Sequence, residues 1–247
     1  MSALRVERDG HVLRVTLARP ERRNAFDAAL IADLADAFAD VGDARAVLLA
    51  GEGPAFCAGA DVEWQRAAIG LSYDENVEDA MRLYRMLESI DSCPVPVVCC
   101  VQGFALGGGS GIVACADVAL AWPDAVFGFT EVRLGIIPAV ISPFVLPKIG
   151  AAARRYFVTG ERFGAPDALR IGLVSEIAED AAERAEAVVR DVLAGGPMAV
   201  REAKSLVRER PSGDQTAHIA AERRTSAEGQ DGLRAFLDRR SPGWLDD

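Results

Sequence analysis

The stretch Cys99-Cys100-Val101-Gln102-Gly103-Phe104-Ala105-Leu106-Gly107-Gly108-Gly109-Ser110-Gly111-Ile112-Val113-Ala114 constrains this chain more than any other. It has the character of a buried strand that passes through a glycine cluster into an apolar helix. Glycines let backbone N–H groups approach a ligand with no side chain in the way, and the helix that follows adds the positive end of its dipole. Such a stretch is either a receptor for an anion or oxyanion, or only a tight strand-to-helix turn. The rest of the chain decides between them.

Around it the chain alternates strands and helices. Leu4–Arg8 and His11–Ala18 flank an Asp9-Gly10 turn and predict an opening β-hairpin, followed by a polar loop at Pro20–Asn24. Asp27 is placed to cap a helix whose apolar residues Leu30, Ile31, Leu34, Phe38 and Val41 recur at helical spacing. Ala46–Ala50 is a short strand leading into the small-residue loop Gly51–Asp61. Gly70–Asn76 is expected to be a mobile polar stretch before a helix over Val77–Ile90, and Val95–Val101 is the next strand. Further on, Val118–Ala121, Val126–Phe129 and Leu173–Ile177 are expected strands, and Ile141–Ile149 and Ala151–Thr159 expected helices. This order favours parallel strands joined by right-handed crossovers. Strand signals stop near Ala181. Helices broken at Gly195-Gly196-Pro197 and Pro211–Asp214 then run to about Asp238, so the expected division is a core over 1–194 and a helical region over 195–247.

Composition narrows the function. A formal net charge of −10 argues against a nucleic acid as the main partner. The five cysteines, Cys57, Cys93, Cys99, Cys100 and Cys115, show no C-x-x-C pair and read as buried thiols in a reducing cytoplasm. The N-terminal residues carry no basic-then-apolar pattern, and no uncharged run nears the ~20 residues of a membrane span, so neither export nor a membrane is expected. With only His11 and His218 in the chain, acid–base chemistry falls to carboxylates, and no metal site is expected.

Two small-residue loops, Cys57–Asp61 and Gly107–Gly109, follow buried strands, and Glu131 lies just past Phe127-Gly128-Phe129-Thr130. With Arg19-Pro20-Glu21-Arg22-Arg23-Asn24-Ala25, Phe56-Cys57-Ala58-Gly59-Ala60-Asp61, Gly103-Phe104-Ala105-Leu106-Gly107-Gly108-Gly109 and Glu131-Val132-Arg133-Leu134-Gly135-Ile136-Ile137-Pro138 in that order, the sequence resembles the enoyl-CoA hydratase/isomerase, or crotonase, superfamily. The resemblance spans essentially the whole chain. It implies an α/β fold, the crotonase-like spiral of repeated ββα units with a C-terminal helical region. It also implies an acyl-CoA substrate, no separate cofactor, and assembly as a homotrimer or a dimer of trimers.

The resemblance further implies that the amides of Ala60 and Gly108 hold the thioester oxygen and that Glu131 moves the substrate proton. It places Arg22, Arg23, Ala25, Ala58, Ala60, Asp61, Val62, Gly107 and Gly108 along the CoA, with Phe236 and Arg239 in the tail segment that reaches a neighbour's CoA. For Asp61 a helix N-cap is an equal alternative, for Arg22-Arg23 a solvated loop, and for Phe236 plain core packing. The sequence departs from the two-glutamate hydratases at Gly111, where they carry a second glutamate. Ser110, Glu63 or a backbone group would then have to orient the water. Reversible hydration of a 2-enoyl-CoA is the expected reaction, with a single-glutamate double-bond isomerase or an inactive acyl-CoA-binding protein as alternatives. Two rivals are weaker. The dinucleotide fingerprint Gly109–Ala114 is not in the first βαβ unit, and the serine-hydrolase elbow around Ser110 lacks its last glycine at Ile112.

Overall fold

Leu4–Asp9 (β1) and Val12–Leu17 (β2) pair antiparallel around the predicted turn, with Leu4 opposite Leu17, in a computed structural model that describes residues 2–245. The Asp27 carboxylate accepts the Leu30 N–H at 3.0 Å and starts α1 (Ala28–Ala39), which buries Leu30, Ile31, Leu34 and Phe38 along one stripe. Ala46–Gly51 (β3) runs parallel to β2. Asp61 then caps a short helix, α2 (Val62–Ala68), through the Glu63 N–H.

The next helix, α3, spans Tyr73–Asp91 and so begins inside the stretch expected to be mobile. Its start is locked by a capping box. The Ser72 hydroxyl accepts the Glu75 N–H at 3.3 Å, while the Glu75 carboxylate accepts the Ser72 N–H at 2.8 Å.

Each following turn of chain lays one strand in a large sheet and one in a small sheet. Val97–Val101 (β4) enters the large sheet, Phe104–Leu106 (β5) the small one, and Gly108–Cys115 (α4) crosses back. Val118–Ala121 (β6) and Val126–Gly128 (β7) repeat the pattern. After Ser142–Ile149 (α5) and Ala153–Thr159 (α6), Arg162–Gly164 (β8) closes the small sheet, Ala165–Ile171 (α7) follows, and Glu176–Ile177 (β9) ends the large one. The expected strand over Leu173–Ile177 is thus only two residues long. The large sheet runs β1-β2-β3-β4-β6-β9, parallel from β2 onward, and the small one β5-β7-β8. This is the repeated ββα spiral of the crotonase fold.

Both faces of the large sheet are covered, which explains why β4 is buried at all five positions. One face joins the main core. The other meets α8 (Ala181–Ala194), where Leu48, Val98 and Leu120 pack against Ala181, Ala185 and Val189. The tail consists of α9 (Pro197–Glu209), α10 (Asp214–Thr225) and α11 (Ala227–Asp238). No described residue beyond Leu193 joins either core cluster. Polar contacts tie the tail to the core. Lys204 Nζ donates to Val95 O at 3.1 Å and to Asp117 at 2.7 Å, and Arg201 donates to Ala44 O at 3.2 Å. Phe236 is 81% exposed, which removes the core-packing alternative for that residue. Among the described residues no helix is long and apolar enough to cross a membrane.

Candidate active site

The spiral stacks the segments of successive turns so that their ends converge. Phe26 bridges to Ala60, and Cys57 to Ala105. Leu106 is in register with Gly128, and the Gly107 N–H donates to Gly128 O at 2.8 Å. Three pieces of chain, distant in sequence, therefore leave this layer side by side: the first with Ala60, the second with Gly107 and Gly108, the third with Glu131.

Ala60 sits between two bonds to its neighbour strand, from Phe26 N–H to Gly59 O and from Asp61 N–H to Phe26 O, both at 2.9 Å. Its own N–H faces the other way and has no acceptor among the described residues. The Gly108 N–H likewise has no acceptor among the described residues, because it opens α4 and has no free carbonyl one turn back to bond. Gly107 has φ +53° and ψ −121°, a conformation that L side chains rarely adopt, and it swings the chain from β5 into α4. Gly108 is closed on its other side by the Phe26 ring, so glycine here serves close packing as well as ligand access.

Ala58, Ala60, Gly107, Gly108 and Glu131 all line one cavity of about 290 Å³. The Glu131 carboxylate lies beside Gly107, where an added Cβ would come within 3.3 Å of its Oε1. Its Oε2 is buried and has no hydrogen-bond partner among the described residues. Burial therefore raises the Glu131 pKa above the ordinary carboxylate range, opposed only by its own backbone N–H. Two unpaired amides and an unpaired, desolvated carboxylate around one cavity can stabilise an oxyanion and move a proton next to it.

The remaining expected contacts lie outside that lining. Asp61 is 3% exposed and is fully engaged by the Glu63 N–H, Arg22 at 3.0 Å and Arg19 at 3.2 Å. Burial raises its pKa, but the Glu63 amide and the two arginines outweigh this and leave it lowered. Arg22 pairs with Asp61 while staying half-exposed, Arg23 is exposed in a left-handed turn, Ala25 is buried and Val62 is exposed, all flanking the Ala60 loop. Phe236 and Arg239 are exposed at the far end of α11. Both named side-chain candidates for orienting the water fail. Ser110 is fully buried and donates to Ala105 O at 2.6 Å, and Glu63 is exposed and paired with Arg66. Cys57, next to the site, is no nucleophile, since burial pushes its thiol up to about 12.

Gly111 is more than an empty position. A Cβ there would come within 2.7 Å of Ile141 Cγ2 and 3.1 Å of Ile141 Cβ. Ile141 is 2% exposed and cannot withdraw freely. Gly111→Glu is therefore expected to destabilise the protein by about 1–3 kcal/mol through overpacking. In a denaturant-unfolding cycle it should couple to Ile141→Ala by more than about 0.5 kcal/mol; additive effects would contradict the contact. The cavity also holds residues that motif reasoning missed, namely Trp64, Gln65, Asn76, Asp79 and Thr130. A signal for the α3 residues was present: Asn76, Asp79, Ala80 and Leu83 fall at i, i+3, i+4 and i+7.

The sequence model of the enoyl-CoA hydratase/isomerase family matches residues 7–247. The chain belongs to the enoyl-CoA hydratase/isomerase family. Among its relatives, the cyclohexa-1,5-dienecarbonyl-CoA hydratase of Thauera aromatica is 34% identical over 251 residues, covering 97% of this chain and 95% of that protein. An enoyl-CoA hydratase structure from Shewanella pealeana superposes with a TM-score of 0.93 at 35% identity, over 98% of this chain and 96% of the other. One from Mycobacterium smegmatis gives 0.91 at 31% identity, over 99% and 100%. Both structures match this chain over nearly its full length, spiral and helical tail together.

Proposed function

We propose that this chain adds water reversibly to a 2-enoyl-CoA, with the Ala60 and Gly108 amides as the oxyanion hole and Glu131 as the only proton-transferring carboxylate. The observation that carries this is the unpaired, buried Glu131 Oε2 in the same cavity as the two free N–H groups. As water attacks C3, one of its protons passes to ionised Glu131 and the electrons of the double bond move onto the thioester oxygen. The two amides hold that charge. Glu131 then returns the proton to C2, the carbonyl re-forms, and a 3-hydroxyacyl-CoA leaves. Atoms balance with one water consumed and no metal or redox cofactor, and the carboxylate ends as it began.

One observation favours a second reaction. Ile141 fills the space beside Gly111, so no second carboxylate is available there to share the water. Glu131 alone could instead take a proton from C2 of a 3-enoyl-CoA and return it to C4. Incubation with paired 2-enoyl- and 3-enoyl-CoAs separates the two: formation of 3-hydroxyacyl-CoA from the 2-enoyl ester supports hydration, and double-bond migration without water uptake supports the isomerase. Turnover of neither would favour an inactive acyl-CoA-binding protein.

We also propose the division into 1–194 and 195–247, with the second region serving homo-oligomerisation, and Arg22, Arg23 and a neighbour's Phe236 and Arg239 serving CoA. The exposure of Phe236 and Leu237 on α11 supports an interface there. Sedimentation should report a trimer or hexamer, and a Phe236→Asp, Leu237→Asp variant should sediment as a smaller species. A wild-type monomer would contradict the interface.

A further inference from the structure

Asp79 is, with Glu131, one of two carboxylates lining a cavity whose other polar side chains are Gln65, Asn76 and Thr130, and neither the oxyanion hole nor the proton transfer uses it. Its side chain is only 14% exposed, although it lies near the start of α3. Both of its hydrogen bonds go to one oxygen: Oδ1 accepts Arg82 at 2.6 Å and the Trp64 indole N–H at 3.3 Å. Oδ2 has no donor among the described residues. The walls nearby are apolar, with Ala80 and Leu83 one step further along the same face and Ile136, Ile137 and Val140 also lining the cavity.

On α3 Asp79 precedes Leu87, the residue that reaches Gly111, by eight positions, about 12 Å along the helix axis. Its other neighbour, Trp64, packs with its ring centroid 5.8 Å from that of Phe26, the ring that lies against Gly108. That offset along α3 sets Asp79 toward the distal part of an acyl chain rather than toward the reacting carbons.

Resting on the hydratase reading above, we propose that Asp79 selects the substrate: the physiological acyl group carries a neutral hydrogen-bond donor, a hydroxyl, at its distal end. An ionised carboxylate is acceptor-only, so Oδ2 rewards a hydroxyl with a charge-assisted hydrogen bond. A methyl terminus leaves that oxygen desolvated and unpaired, and a second carboxylate is repelled. The Trp64 and Arg82 bonds fix the Asp79 side chain before substrate arrives, which limits the entropy lost on binding.

The test is kcat/KM of the wild type on six- and eight-carbon 2-enoyl-CoAs ending in methyl, hydroxymethyl or carboxylate. The hydroxymethyl chain should exceed the methyl chain by about tenfold, and the carboxylate chain should be the poorest. In Asp79→Leu the order of hydroxymethyl and methyl should invert. In Asp79→Asn, which keeps an acceptor and removes the charge, the carboxylate chain should gain relative to the others. A wild type that favours methyl, or gives equal values, overturns the assignment whatever the variants do. If no enoyl-CoA turns over, the hydratase reading fails by itself. The same ratios, taken as Kd values of the saturated acyl-CoAs, then decide the role of Asp79 separately.

Discussion

Glu131→Gln is expected to lower the hydration rate by about 10²–10⁴-fold, the usual contribution of a positioned general acid–base, while leaving acyl-CoA affinity within a few-fold of wild type. Glutamine keeps the shape and cannot accept the water proton. The same substitution should have an opposite effect on stability. Burial raises the folded-state pKa of Glu131 above its unfolded value of about 4.3. A carboxyl shifted in that direction binds its proton more tightly when folded. Its stabilising contribution is complete below the unfolded pKa and is lost as pH rises through the folded one. At neutral pH the wild type thus carries a buried, unpaired charge that the glutamine lacks. The variant should have the higher Tm at pH 7, with the gap closing below about pH 4. A gap independent of pH would show that the carboxylate is not desolvated in solution. The wild-type kcat/KM should rise with pH through an ionisation above the ordinary glutamate value, and the variant should lose that limb.

Gly108→Ala is the second large effect. A methyl group at this position meets Cζ and Cε1 of Phe26, and the ring is 1% exposed and held edge-on by Trp64. Because the ring cannot yield, the glycine loop must move, and it carries one of the two proposed oxyanion donors with it. Loss of one such donor costs about 10²–10³ in kcat. Phe26→Leu in the same chain should recover part of that loss by withdrawing the ring atoms that clash. Near-wild-type turnover by the single variant would remove Gly108 from the oxyanion hole.

Local chemistry explains which parts of the fold could be read beforehand. The hairpin at Asp9-Gly10, the Asp27 cap and the all-apolar Val97–Val101 each carry their structural instruction within a few residues. Phe104–Leu106 and Arg162–Gly164 do not. Each is three residues long, and its extended form comes only from pairing across the small sheet. The start of α3 was legible but overlooked, since Ser72 and Glu75 form a capping box in a stretch whose polarity suggested a mobile loop. At the site, Ala60, Gly108 and Glu131 stood out through motifs in register. The contact between Gly111 and Ile141 spans thirty positions and exists only after α4 packs on the start of α5. Ser110 misled for a related reason. Its place after three glycines suggested access, whereas the spiral turns its hydroxyl inward onto the Ala105 carbonyl.

In the proposed reaction one carboxylate, Glu131, does two jobs, taking a proton from the attacking water and delivering it to C2. Hydration of a 2-enoyl-CoA in deuterated water tests this directly, with the stereochemistry of the 3-hydroxyacyl product read by NMR. Because a single group on one face of the substrate serves both carbons, the deuterium at C2 should lie on the same face as the new hydroxyl at C3. Addition from opposite faces, or deuterium scrambled between both positions at C2, would contradict it.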